Sequence, residues 1–118
     1  MHEMGIVQSI MEIIEQQAAL HHAEKVVKVS LEFGTLTAVM PDSIRFAFEV
    51  LSRDTVAADA ELDITIIPIA IWCGECGRRH VLDTYRPTCP VCDSAAVQIV
   101  QGRDEMRIVS LEVDDGER

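Results

Sequence analysis

Apolar residues recur at helical spacing near the start of the chain: Val7, Ile10, Met11, Ile14 and Ala18, with Gln8, Glu12, Glu15 and Gln16 between them. A helix over residues 4–20 gathers them into one stripe. The period then changes. Val27, Val29, Leu31 and Phe33 alternate with Lys28, Ser30 and Glu32, which predicts a strand with one buried face, ended by Gly34. Pro41 opens a second helix, at a position where its missing N–H costs nothing, and Ile44, Ala47, Phe48 and Leu51 form its core stripe. Leu62, Ile64 and Ile66 alternate with Asp63 and Thr65 as a second strand. Met106 to Val113 reads as a third, with Val109, Leu111 and Val113 available for burial. The pattern predicts an α+β fold in which two helices pack on a small three-stranded sheet.

Between these strands, from Trp72 to about Val97, the periodicity disappears. This stretch holds all four cysteines and two of the four prolines. It is expected to be a small inserted β domain, zinc-ribbon-like, held together by something other than a hydrophobic core. The predicted domains are therefore 1–70 plus 102–118, and 71–101. Trp72, beside Cys73, is expected to pack at their junction.

The cysteines fall in CGECGRRHVLDTYRPTCPVC as two CxxC pairs, Cys73 with Cys76 and Cys89 with Cys92, twelve residues apart. Two intervening residues let a tight turn aim both sulfurs at one point, and two such knuckles complete a tetrahedron around a metal. Gly74 and Gly77 are expected to supply unusual backbone angles, and Pro90 to stiffen the second knuckle. Four thiolates close the coordination shell, which points to structural zinc; the same ligands would also hold a single iron.

Composition sets limits on partners. The chain has 118 residues, 48% of them hydrophobic, enough for one modest domain with an appendage. Its formal charge of −10 disfavours nucleic acid and anionic membranes. Glu3, Glu12 and Glu15 interrupt the first apolar run, so no signal peptide is expected and a cytoplasmic location is. Reducing conditions there argue against disulfides. No nucleophile–base pair or phosphate-binding loop is visible, so the protein is not expected to be an enzyme.

The first three residues are Met1, His2 and Glu3. A histidine near a chain end is ordinarily a solvated side chain. Here, though, the Met1 amine, the His2 backbone nitrogen and His2 Nδ1 would form fused five- and six-membered chelate rings around one ion. Nitrogen-rich, square-planar coordination favours Ni(II) or Cu(II). Glu3 adds its backbone nitrogen, its carboxylate or only its charge. His21 and His22 fall at the end of the first helix, where an imidazolium suits the dipole. His80 follows the first knuckle; a surface role and an approach to this terminal site as a further ligand are both open.

The stretches MHEMGIVQSI, LEFGTLTAVMP, FAFEVLSRDTVAADAEL, WCGEC, CPVC and GRDEMRI, in this order, resemble the HypA/HybF family of nickel metallochaperones for [NiFe] hydrogenase maturation. The resemblance implies nickel at Met1, His2 and Glu3, and zinc at Cys73, Cys76, Cys89 and Cys92. It also implies delivery of Ni(II) to the hydrogenase large subunit with a HypB-like partner GTPase. Two rivals remain on the residues alone. One is a zinc-ribbon adaptor binding nucleic acid or protein through Arg78, Arg79 and Arg86. The other is a rubredoxin-like iron electron carrier.

Overall fold

In the computed structural model, which describes residues 3–114, the first apolar stripe forms α1 (Glu3–Leu20) and buries Val7, Ile10, Met11, Ile14 and Ala18. The helix ends because His22 adopts a left-handed conformation, φ 53°. The His22 N–H then bonds to Ala19 O at 3.2 Å and the Ala23 N–H to Ala18 O at 2.9 Å. These two bonds are the paired closure usually built on glycine. His21 Nδ1 lies 2.9 Å from the Gln17 carbonyl oxygen, so its ring also serves the helix end.

Helix α2 (Pro41–Leu51) starts at its proline and buries Ile44, Ala47 and Phe48. It packs on α1. Strands β1 (Lys25–Gly34), β2 (Glu61–Ile67) and β6 (Met106–Asp114) form a sheet of order β2-β1-β6. The architecture is α+β, two helices packed against sheet, and the late strand β6 joins the sheet of β1 and β2.

Several details depart from the sequence pattern; in β2, Leu62 and Ile64 are half-buried as expected but Ile66 is exposed. Val26 is buried and Val27 exposed, although Val29, Leu31 and Phe33 face inward as expected. The Val26 N–H bonds to Val56 O at 2.9 Å, so the strand enters one residue out of phase and the alternation slips between Val27 and Lys28. Along β6, Val109 and Val113 are exposed and Leu111 is only half-buried. Because β6 is an edge strand, apolar alternation there does not guarantee a covering layer.

The chain divides into two compact units: 3–31, 39–65 and 107–114 in one, Glu32–Ala38 and Ile66–Met106 in the other. The second unit thus takes in more chain than 71–101. It contains the sheet β4-β3-β5, built from β3 (Ile69–Cys73), β4 (Arg78–Leu82) and β5 (Val97–Gln101). Contrary to expectation, this unit buries an apolar cluster of its own. Ile69, Ile71 and Leu82 pack with Cys73 and Cys89, and Cys76, Val97 and Ile99 lie against them. The strand Ile69–Cys73 is short and without polar alternation, so periodicity did not reveal it. Trp72 points out of this cluster and is 45% exposed, not packed as expected. Among the described residues no helix is long and apolar enough to cross a membrane.

Gly102 is a point of close backbone approach in the second unit. Its φ is +82°, and a Cβ there would lie 2.7 Å from Ile69 Cα and from the Pro68 carbonyl carbon. Its carbonyl accepts from the Leu36 N–H at 2.9 Å and its N–H donates to Glu105 Oε2 at 3.0 Å. Gly102→Ala combines a disfavoured backbone angle with overlap onto backbone. The substitution is expected to destabilise the protein by about 2–4 kcal/mol. An unchanged urea midpoint would show that the backbone at 102 relaxes freely.

Candidate metal centre

The first knuckle is the tip of the β3–β4 hairpin. Cys73 closes the ladder opposite Arg78, and Cys76 lies in the turn between them. The Gly77 N–H returns to Cys73 O at 2.9 Å with φ +65°, a conformation that glycine adopts without strain. The Cys76 N–H approaches Cys73 Sγ at 3.4 Å. Gly74 does not have the positive φ expected of it. Its N–H instead bonds to Ala96 O at 2.8 Å, tying the turn to the chain that enters β5.

The second knuckle repeats the first in the loop between β4 and β5. The Asp93 N–H bonds to Cys89 O at 3.0 Å with φ 62°, and the Val91 N–H approaches Cys89 Sγ at 3.4 Å. Together the two knuckles bring the four sulfurs within 4.8 Å of one another. Cys73 Sγ lies 3.6 Å from Cys92 Sγ, and Cys76 Sγ lies 3.8 Å from Cys89 Sγ. Both distances are far beyond a disulfide bond of about 2.05 Å. A tetrahedron with metal–sulfur bonds of about 2.3 Å has edges of about 3.8 Å. The cluster therefore has the dimensions of a four-thiolate metal site.

The thiols perturb one another's ionisation. Cys76 is pushed up to about 12, first by its hydrogen bond with the Cys92 side chain and then by burial. Burial also opposes ionisation of Cys89, but the backbone N–H groups of Cys92 and Val91 donate to its sulfur and bring it down to about 6. One thiolate thus forms readily, while its neighbour keeps its proton through neutral pH. Only a cation among the sulfurs lets all four ionise together.

The other candidate residues fall as follows. Met1 and His2 lie outside the described residues. Glu3 begins α1, and its Oε2 accepts from the Met40 N–H at 3.3 Å. A depression of about 360 Å³ beside it is lined by Glu3, Met4, Asp42, Ser43, Phe46 and Ala47. His80 is half-buried on β4 opposite Ile71, and its Nε2 has no hydrogen-bond partner among the described residues. Of the three arginines, Arg79 donates to Gln101 Oε1 at 2.6 Å and Arg86 to Asp93 Oδ1 at 3.0 Å. Such engagement within the chain weakens the nucleic-acid reading. Sequence reasoning missed Thr88 and Asp93, which brace the second knuckle. The one available signal was Asp93 at the position that Gly77 occupies in the first.

Two helices on a sheet, with a separate four-cysteine unit, define a small metal-binding protein with a closed thiolate site. A family model described as "Hydrogenase/urease nickel incorporation, metallochaperone, hypA" matches residues 1–113. A hydrogenase maturation factor HypA of Rhodopseudomonas palustris is 41% identical over 97% of this chain and all of its own. Another, of Desulfatibacillum aliphaticivorans, is 42% identical over 99% of this chain and 90% of its own. The solution structure of the Ni metallochaperone HypA from Helicobacter pylori matches with a TM-score of 0.66 at 31% identity, covering 97% of this chain and 98% of that one. The chain belongs to the HypA family of metallochaperones.

Replacing Cys73 or Cys89 by Ala is expected to abolish tight metal binding and disorder the cysteine unit, while the helical circular dichroism of α1 and α2 largely survives. In the unsubstituted protein, metal uptake at pH 7 should release protons, because Cys76 at about 12 holds its own until the ion arrives. Affinity should therefore rise with pH. Proton release is read with a pH indicator during titration, and uptake without release would contradict the thiol assignment.

Proposed function

We propose that this protein carries Ni(II) for maturation of [NiFe] hydrogenase. In this reading Met1, His2 and Glu3 hold the nickel, and Cys73, Cys76, Cys89 and Cys92 hold structural zinc. The carrying observation is the family match, which runs from residue 1 through both CxxC pairs. Zinc is preferred to iron because a site that need only brace a small unit requires no redox change.

The nickel step follows from chelate chemistry. The Met1 nitrogen, the His2 backbone nitrogen and His2 Nδ1 supply adjoining donors in one plane, a set suited to Ni(II). A site at a chain end can be remodelled by a docking partner without opening a core. Glu3, the one described residue of the three, accepts from the Met40 N–H at the first turn of α1. The acceptor is the hydrogenase large subunit, with a HypB-like GTPase supplying the nucleotide hydrolysis. The protein acts in the cytoplasm, the unit containing Glu3 handles nickel, and the cysteine unit holds zinc.

His2→Ala is expected to retain zinc and fold normally but to lose specific nickel binding and hydrogenase maturation. A one-residue, histidine-free extension ahead of Met1 should do the same, because it converts the amine to an amide. Nickel affinity of the unextended protein should fall as pH drops through the ranges of the amine (about 7.7–8.0) and the imidazole (about 6.5). Isothermal titration of untagged protein checks all three. An extended chain that binds nickel as tightly, with the same pH profile, would remove the amine from the ligand set.

A further inference from the structure

The two knuckles share a backbone turn but differ in what supports it. Gly77 and Asp93 occupy equivalent left-handed positions, at φ 65° and 62°. A Cβ at 77 would meet nothing within 4 Å, and the first knuckle is braced by the β3–β4 ladder that ends at Cys73 and Arg78. Residues 89–93 belong to no strand. Their backbone closes on itself, Cys89 N–H to Ser94 O at 2.8 Å and Asp93 N–H to Cys89 O at 3.0 Å, and side chains add a second closure where the first knuckle has a strand ladder. Asp93 Oδ1 accepts from Thr88 Oγ1 at 3.0 Å and from Arg86 Nη2 at 3.0 Å, and Arg86 Nη2 also donates to Thr88 Oγ1 at 3.0 Å. Thr88 immediately precedes Cys89, and Asp93 immediately follows Cys92. The carboxylate thus joins the two ends of the segment that carries both sulfurs. It also suits the strained position, since a short polar side chain tolerates positive φ better than most. Cys92 is the exposed member of the four, whereas Cys76 in the first knuckle is half-buried.

We propose that Asp93 is a positioning residue for the metal site. With Thr88 and Arg86, it staples the second knuckle in its ligating turn and slows metal loss from the Cys92 side. The proposal rests on the zinc reading above. The Arg86–Asp93 pair is 44% and 82% exposed, so its charge contributes little by itself. What matters is that hydrogen bonds close the loop geometrically.

The test uses full-length zinc-loaded protein with Asp93→Gly, Asp93→Asn and Thr88→Val. Zinc transfer to a chromogenic chelator gives the release rate, and Co(II) substitution gives the ligand-field spectrum. Asp93→Gly keeps the backbone angle but removes the staple. Release should quicken about five- to tenfold, the factor that corresponds to loss of ordinary hydrogen bonds. Thr88→Val should act in the same direction. Asp93→Asn retains an acceptor oxygen and should stay close to the unsubstituted rate. All three should keep an unchanged four-thiolate Co(II) spectrum. Asp93→Gly at the unsubstituted rate would overturn the proposal, as would Asp93→Asn releasing as fast as Asp93→Gly. A spectral change in Asp93→Asn would overturn it too, by making the carboxylate a ligand. Failure of the unsubstituted protein to give a four-thiolate Co(II) spectrum would instead reject the zinc reading, and the proposal with it.

Discussion

Four sulfurs within 4.8 Å of one another cannot all carry charge unless a cation sits among them. That constraint organises the second half of the molecule. Its apolar cluster amounts to Ile69, Ile71 and Leu82 around Cys73 and Cys89, with a few half-buried neighbours. So small a core offers little to offset the entropy of ordering the chain. The sheet β4-β3-β5 aims one pair of sulfurs, and a loop fastened at both ends aims the other. Cys73 and Cys89 are thus core residues as well as candidate ligands, which would couple folding of this unit to occupation of its metal site.

The helical unit obeys a different rule. Val7, Ile14, Val26, Val29 and Ile44 are fully buried, and ordinary apolar burial suffices to hold it. On the proposed reading, this contrast separates two metal tasks. An ion enclosed by four thiolates within a small core exchanges slowly and is suited to bracing. An ion held by the first residues of the chain can be passed on without disturbing either core. Both tasks fit one short chain because neither site draws on the other's ligands.

Much of this was legible in sequence, for identifiable reasons. The stripes of α1 and α2 were legible because a helix repeats its buried face regularly over several turns. The two CxxC pairs were legible because ligand spacing is a local property of the turn that carries it. The family resemblance needed no geometry at all. Other features were not local. The strand Ile69–Cys73 lacks alternation, and the slip from Val27 to Val26 depends on a bond to Val56 thirty residues away. The exposure of Val109 and Val113 follows from the edge position of β6, which no period encodes.

The sequence by itself determined which residues could bind metal and which faces could be buried, since both depend on side-chain chemistry and short-range spacing. Only the tertiary structure decided that the sulfurs converge at tetrahedral distances, that Trp72 faces out, and that Asp93 closes the second knuckle. Those outcomes depend on groups brought together across the chain. The Gly74 N–H meets Ala96 O, and the Asp93 carboxylate meets Thr88 and Arg86. Such meetings are set by how strands and loops pack, and spacing along the chain carries no record of them.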